Sequence, residues 1–386
     1  MKIAKKVFTL LLVSSMTFAL FGCGETSQVN SKNDETIDIL CTTYPQYDWA
    51  RQVIGESNSK VTLNLIVDNG MDVHNYQPSA EDMIEIANSD LVIYNGGTSE
   101  EWVEEAVKNS GHIKTIEIME LLEQQMVEEE LVEGMVHEHS HEDEEVSDAD
   151  HTHKEDIHED EETEHNEDSE VHEEQEPLHD EEHMHDEDGE VQEGKVLSQE
   201  EIENTSEVTE YDEHIWLSMK NAMIVVEEIK NVMTELDNEN AHLYEQNTDT
   251  YVNELQALDK KYEETVNSGS RKVLLFGDRF PFRYLVEDYG LTYYAAFPGC
   301  SAETEASFET IVFLAEKVRE HNLPCILTID GSDKSIAESI KSNVGNKEIE
   351  ILTLNSLQSV SKDSLETTTY LSVMEENLEV LKQALN

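Results

Sequence analysis

The chain has 386 residues and carries 87 Asp and Glu against 25 Lys and Arg, a formal charge of −62. With no basic patch to replace phosphate counterions, this composition excludes nucleic acid as a partner, and its negative field gathers cations instead. The charge is uneven: 39 of the acidic residues fall between Glu128 and Glu213, a window whose only cationic side chains besides histidine are Lys154 and Lys195.

Residues 1–22 read as an export signal. Lys2, Lys5 and Lys6 precede a mostly apolar run over 7–20, and the small Gly22 stands before Cys23. The run is too short to span a bilayer comfortably. Leu20-Phe21-Gly22-Cys23 resembles a bacterial lipobox, which makes Cys23 the lipidated first residue of the mature chain. Acyl chains such as palmitate, at roughly 0.8 kcal/mol per buried CH₂, would anchor it to the outer face of the cell membrane. A polar tether follows over 23–35.

Beyond the tether, short apolar runs alternate with amphipathic segments. Strands are predicted over 37–41, 61–67, 91–94 and 114–118, with helices over 47–54, 80–88 and 102–109. This alternation implies right-handed βαβ units and a parallel sheet covered on both faces. From 128 to 210 the pattern dissolves into Glu, Asp and His. Such a segment cannot bury enough apolar surface to offset its ordering entropy, so disorder without metal is expected there.

Order is predicted to resume with a helix over 216–236. A second helix follows over 241–266, where Tyr244, Tyr251, Leu255, Leu258 and Tyr262 form a helical stripe. At 1.5 Å per residue it is about 39 Å long, the length of a rigid connector. Strands over 272–276, 293–296, 325–329 and 349–354 then alternate with helices over 281–289, 307–321, 335–341 and 370–385. The expected fold is therefore α/β: two parallel-sheet βα lobes, 36–236 and 269–386, joined by a connecting helix over 237–268. Ligands of open α/β sheets bind beyond the carboxyl ends of the strands, which places a site in the cleft between the lobes.

Histidine is the loudest chemical signal. Eleven of the sixteen histidines fall between His137 and His185, many in His-x-His pairs: His137, His139 and His141; His151 and His153; His183 and His185. Neutral imidazole is the commonest ligand for zinc and its neighbours, and the interleaved carboxylates add charge. A floppy chain must be ordered before it can wrap an ion, so the tract reads as an accessory binder. His137-Glu138-His139-Ser140-His141 formally matches the H-E-x-x-H protease motif, but that motif needs a packed helix and this segment has no apolar face. Outside the tract, His74 sits in a turn-rich loop directly after a strand, and His214 where order resumes. His112, His242 and His321 read as surface residues. With Cys23 lipidated, Cys41, Cys300 and Cys325 remain, an odd number. Cys41 and Cys300 could pair or lie near the site, whereas Cys325 reads as buried.

These features together resemble the bacterial zinc- and manganese-binding proteins of ABC importers, especially the zinc-uptake members with a His-rich loop. The motifs that carry the resemblance are Cys41-Thr42-Thr43-Tyr44-Pro45, Gly70-Met71-Asp72-Val73-His74-Asn75-Tyr76-Gln77-Pro78, Asp90-Leu91-Val92-Ile93-Tyr94-Asn95-Gly96-Gly97 and His214-Ile215-Trp216-Leu217, with the His-rich loop between the two histidine motifs. The resemblance implies His74 and His214 as metal ligands. It also implies two ligands in the second half, where this chain departs from the pattern: Arg279 and Asn355 stand at those places. Arginine cannot ligate, and an amide is a weak donor. Asp278, Glu303, Glu305 and Cys300 are the candidates to complete the shell, Glu303 first.

The expected function is capture of zinc, with manganese as the second choice of cargo, and its delivery to the membrane permease of an ABC importer by a lipid-anchored, monomeric protein outside the cell. No nucleophile–base pair or phosphate loop points to an enzyme. The alternative is a metal-binding adhesin or a zinc-storage module.

Overall fold

The computed structural model describes residues 36–55, 60–68, 70–108, 110–137, 195–196, 210–301 and 305–386. The export signal, the tether with Cys23, Glu303 and the tract residues His139, His141, His151, His153, His183 and His185 lie outside the described residues.

The first half forms β1 (Ile37–Cys41), α1 (Tyr44–Ile54), β2 (Val61–Leu65), α2 (Ala80–Asn88), β3 (Leu91–Tyr94), α3 (Glu101–Lys108) and β4 (Lys114–Glu117). Its strands pair in parallel in the order β2-β1-β3-β4. All four residues of β3 are buried, as a parallel strand covered on both faces requires, while edge strand β2 alternates. Helix α2 starts at a capping box: Ser79 Oγ accepts from the Asp82 N–H, and Asp82 accepts from the Ser79 N–H.

The two ends of the His-rich tract are paired. The Glu129 N–H donates to Glu210 O (2.9 Å), the Asp212 N–H donates to Val127 O (3.0 Å), and β5 (Val136–His137) runs antiparallel to β6 (Lys195–Val196). Both roots are fastened to the second half of the chain. The Tyr284 hydroxyl donates to Asp212 O and receives the Val127 N–H, while Arg283 pairs with Glu130.

Helices α4 (Met219–Leu236) and α5 (Ala241–Ser268) lead into the second half. With 28 residues, α5 is about 42 Å long. Its buried stripe, including Tyr244, Thr248, Tyr251, Leu255, Leu258 and Tyr262, packs on α1, α4 and the last helix, α9 (Tyr370–Leu385). The remaining elements are β7 (Val273–Phe280), α6 (Arg283–Tyr289), β8 (Thr292–Pro298), α7 (Phe308–Glu320), β9 (Cys325–Ile329), α8 (Ser335–Val344) and β10 (Glu350–Leu354). They build a second parallel sheet in the order β10-β9-β7-β8. Strand β7 runs four residues past its predicted end, through a register shift between Phe276 and Arg279. Such bulges bend a strand and re-aim its side chains.

One buried apolar cluster runs from Ile39 and Trp49 through Trp216 and Tyr251 to Phe276 and Leu327. The two sheets are thus fixed by a shared core as well as by the connecting helix. Within it, Trp49 and Tyr370 meet edge to face at 5.3 Å, and the Tyr370 hydroxyl donates to Trp216 O at 2.7 Å. No helix among the described residues is long and apolar enough to cross a membrane.

Candidate metal centre

His74 lies in a short turn, Val73–Asn75, after β2. Asp72 caps this turn by accepting the His74 N–H at 3.1 Å, which fixes the direction of the imidazole. The His74 Nδ1 meets Ser99 Oγ at 2.7 Å, with a Glu213 oxygen behind it at 3.8 Å. Glu213 is itself anchored, since Oε1 accepts from Thr98 Oγ1 (2.8 Å) and the Ser99 N–H (3.2 Å). Gly97 makes that approach possible. Its φ is +81°, and a Cβ there would stand 2.5 Å from Glu213 Oε1.

His214 is fully buried at the start of the turn Ile215–Leu217. Asp212 Oδ1 accepts both its backbone N–H (2.8 Å) and its Nδ1–H (3.1 Å). Trp216 packs edge-on against the ring and donates from Nε1 to Ser356 O, tying this turn to the loop after β10.

With each Nδ1 engaged, the Nε2 atoms of both rings point inward and meet at 3.1 Å. The Asp212 carboxylate, an acceptor only, holds the proton on His214 Nδ1 and leaves its Nε2 lone pair free, whereas the Ser99 hydroxyl can pair with His74 Nδ1 in either tautomer. Two nitrogens bound at ~2.0–2.1 Å to a tetrahedral ion stand about 3.3 Å apart, so the spacing suits a shared cation. Cys300 completes the group from the other lobe, in the turn after β8. One nitrogen of each ring and the Cys300 sulfur all lie within 4.8 Å of one another.

The electrostatics differ from one member of the cluster to the next. Burial, then the neighbouring His214, lowers the His74 pKa to about 4, so this ring is neutral at physiological pH. Burial alone would lower His214 too, but Asp212, with Asp72 and Glu213 behind it, raises it above its ordinary value. Burial, then the charges of Glu129, Asp212 and Glu213, push the Cys300 thiol far above its ordinary range. The thiol is therefore protonated at neutral pH.

The other expected residues fall elsewhere. Both Asp278 oxygens accept backbone N–H groups, from Arg279 at 2.9 Å and from Ile329 at 3.3 Å. That carboxylate staples the bulge of β7 to β9 and is not in the cluster around the histidines. Asn355 Oδ1 accepts the Leu357 N–H within its own turn. The side chain of that loop that does reach the site is Gln358, with Nε2 3.0 Å from His214 Nε2 and 3.3 Å from Asp72 Oδ1. Arg279 pairs with Asp72 at 2.8 Å. His137 belongs to β5 at the root of the tract. Cys41, Cys300 and Cys325 are free thiols, and Cys41 is a core residue of β1 rather than a partner of Cys300.

The family model described as the periplasmic component A of the zinc-uptake complex, ZnuA, matches residues 39–384. The chain belongs to this family. Among curated relatives, the zinc-binding lipoprotein AdcA of Streptococcus pneumoniae is 26% identical over 382 residues, which cover 98% of this chain and 61% of AdcA. The chain thus spans about three fifths of that relative's length. The high-affinity zinc uptake system protein ZnuA of Bacillus subtilis is 25% identical over 390 residues, which cover 99% of this chain and 98% of that protein. The Zn(II)-bound ZnuA-like domain of Streptococcus pneumoniae AdcA superposes with a TM-score of 0.59 at 22% identity, over 91% of this chain and 99% of that one. The metal-dependent lipoprotein YcdH of Bacillus subtilis does so with a TM-score of 0.60 at 21% identity, over 91% of this chain and all of that one. These superpositions establish the shared two-sheet α/β fold.

Proposed function

We propose that this member of the ZnuA family captures zinc outside the cell and delivers it to the permease of an ABC importer. The observation that carries the reading is the pair of inward-facing Nε2 atoms, 3.1 Å apart, on two rings that each place a nitrogen within 4.8 Å of the Cys300 sulfur. His74, His214 and, as its thiolate, Cys300 hold the ion. These N and S donors suit zinc, which forms tetrahedral sites with such ligands, better than manganese, which favours oxygen. The family assignment and the zinc-binding names of the relatives support the same cargo. The cycle is binding and release, without chemistry on a substrate.

The His-rich tract serves as a weaker, accessory collector whose roots lie beside the site. Lipidated Cys23 tethers the monomeric protein to the outer face of the membrane, in keeping with relatives named as lipoproteins.

The test is metal analysis of protein lacking residues 138–194. One tight zinc per chain should survive that deletion and be lost on His74→Ala. If tight binding disappears with the tract, the site is misassigned. Unchanged uptake at limiting zinc in cells without the protein would favour storage or adhesion over transport.

A further inference from the structure

Arg279 stands where the family resemblance implies a metal ligand, and the structure gives it another task. Its Nη2 reaches across from β7 to Asp72 Oδ2, 2.8 Å away, in the loop that carries His74. Its Nη1 meets Ser301 O at 3.4 Å. The bulge between Phe276 and Arg279 turns the guanidinium towards the first lobe, and Asp278 pins that bulge to β9. The pair is well shielded, with side-chain exposures of 18% for Arg279 and 9% for Asp72. Shielded ion pairs are screened much less than surface ones.

Asp72 is the acidic group best placed to become a ligand. Its Oδ1 and the His214 Nε2 contact the same amide nitrogen, that of Gln358. Of the other acidic neighbours, Asp212 and Glu213 lie on the Nδ1 sides of the rings, away from the facing Nε2 atoms, and Glu129 is turned to the Cys300 backbone N–H, which it accepts. Asp72 is nevertheless fully committed. Oδ2 is held by Arg279, and Oδ1 by the His74 N–H and Gln358.

We infer that Arg279 is a specificity-determining residue: by tying up the Asp72 carboxylate it keeps a hard oxygen donor off the ion, so that the cargo meets two imidazoles and one thiolate. Hard divalent cations such as manganese depend on oxygen ligands and higher coordination numbers. Zinc is satisfied by three protein donors of this kind and one further position. Without its guanidinium partner, Asp72 is free to rotate towards the ring nitrogens and add a carboxylate. Arg279 thus acts through Asp72 without touching the ion. The inference rests on the proposed site and names what makes that site selective.

The experiment measures Zn(II) and Mn(II) dissociation constants by chelator competition for the full chain, R279Q, D72N and the double variant R279Q/D72N. R279Q should raise manganese affinity relative to zinc by about tenfold or more, the scale at which groups behind the ligands tune metal sites. The double variant should return the ratio to that of D72N alone, because the gain requires the Asp72 carboxylate. Mn(II) electron paramagnetic resonance reports the same change directly, as a bound-ion spectrum in R279Q that D72N removes. R279K, which keeps the charge but loses the planar fork, should show a smaller rise and serves if R279Q does not fold. An unchanged ratio in both folded variants, or a gain that persists in the double variant, overturns the inference. If His74→Ala leaves wild-type zinc affinity intact, the proposed site itself fails. If His74→Ala abolishes binding while the R279Q ratio stays put, only the role of Arg279 fails.

Discussion

His74 and His214 are 140 positions apart in the chain, with the whole His-rich tract between them, yet their Nε2 atoms face each other at 3.1 Å. Each ring is held from behind by a different device: a hydroxyl backed by an anchored Glu213 for His74, and a buried Asp212 for His214. Both devices belong to the first lobe or to the root of the tract. The first lobe therefore presents a preformed two-nitrogen clip, to which the second lobe adds a sulfur.

In the proposed site, replacing either histidine by alanine removes a direct ligand. Changes behind the ligands typically cost 10–100-fold in affinity, so His74→Ala and His214→Ala should each weaken zinc by more than about 100-fold. Chelator competition measures the loss. His112→Ala, at an exposed turn, is the control and should bind as the wild type does.

Zinc capture should release protons. The Cys300 thiol is pushed far up by burial and by Glu129, Asp212 and Glu213, so it is protonated at neutral pH and becomes a thiolate only as the ion arrives. Calorimetry in buffers of different ionisation heat should show about one proton released per zinc from this group, plus a fraction from His214. Cys300→Ser should lower the count by about one and abolish the thiolate-to-metal charge-transfer band of the cobalt-substituted protein. An unchanged count and band would remove Cys300 from the shell.

The metal-free protein should lose stability in mild acid because of His74. Its pKa falls from 6.5 when unfolded to about 4 when folded. Between those values the unfolded chain binds more protons, so stability drops as the pH falls from 6.5 towards 4 and levels off below. His214 works the other way. Its pKa is raised, so its contribution is present below 6.5 and is lost as the pH rises through its folded value. Urea midpoints measured across this range should show an acid limb that flattens in His74→Ala. A limb of unchanged slope would mean that His74 is not held neutral.

How much of this was legible depended on whether the cause was local. Helix α2 and strand β3 begin and end where predicted, because a capping box and an uninterrupted apolar run are written in adjacent residues. His74 and His214 were legible as a pair because each sits in its own recognisable motif, and the fold brings their Nε2 atoms to 3.1 Å. Strand β7 was read short because Gly277 and Asp278 look like a terminus, whereas the Asp278 carboxylate carries the strand onward by binding the Ile329 N–H of a neighbouring strand. Gln358 gave no signal at all. Its place beside His214 depends on the turn at Leu357, whose φ is +64°, which no local pattern announces. Cys300 was one candidate among several until the second sheet brought its turn against His214.

That last approach sets up a test of how tightly the two lobes fit. Gly299 packs against the His214 ring: a Cβ at this position would stand 2.9 Å from His214 Cε1, 3.1 Å from Nδ1 and 2.9 Å from Phe280 O. The strand carbonyl cannot give way easily. His214 cannot swing aside without breaking its bond to Asp212 and its edge contact with Trp216. Gly299→Ala should therefore cost about 1–3 kcal/mol, the usual penalty for overpacking. It should also weaken zinc, by tilting Nε2 away from its partner. Gly111→Ala, where a Cβ meets nothing within 4 Å, is the matched control. Denaturation and zinc titration of the two variants settle the matter. If Gly299→Ala binds zinc as tightly as Gly111→Ala, then Cys300 and His214 are not held in the close register described here, and the sulfur must reach the ion from further away.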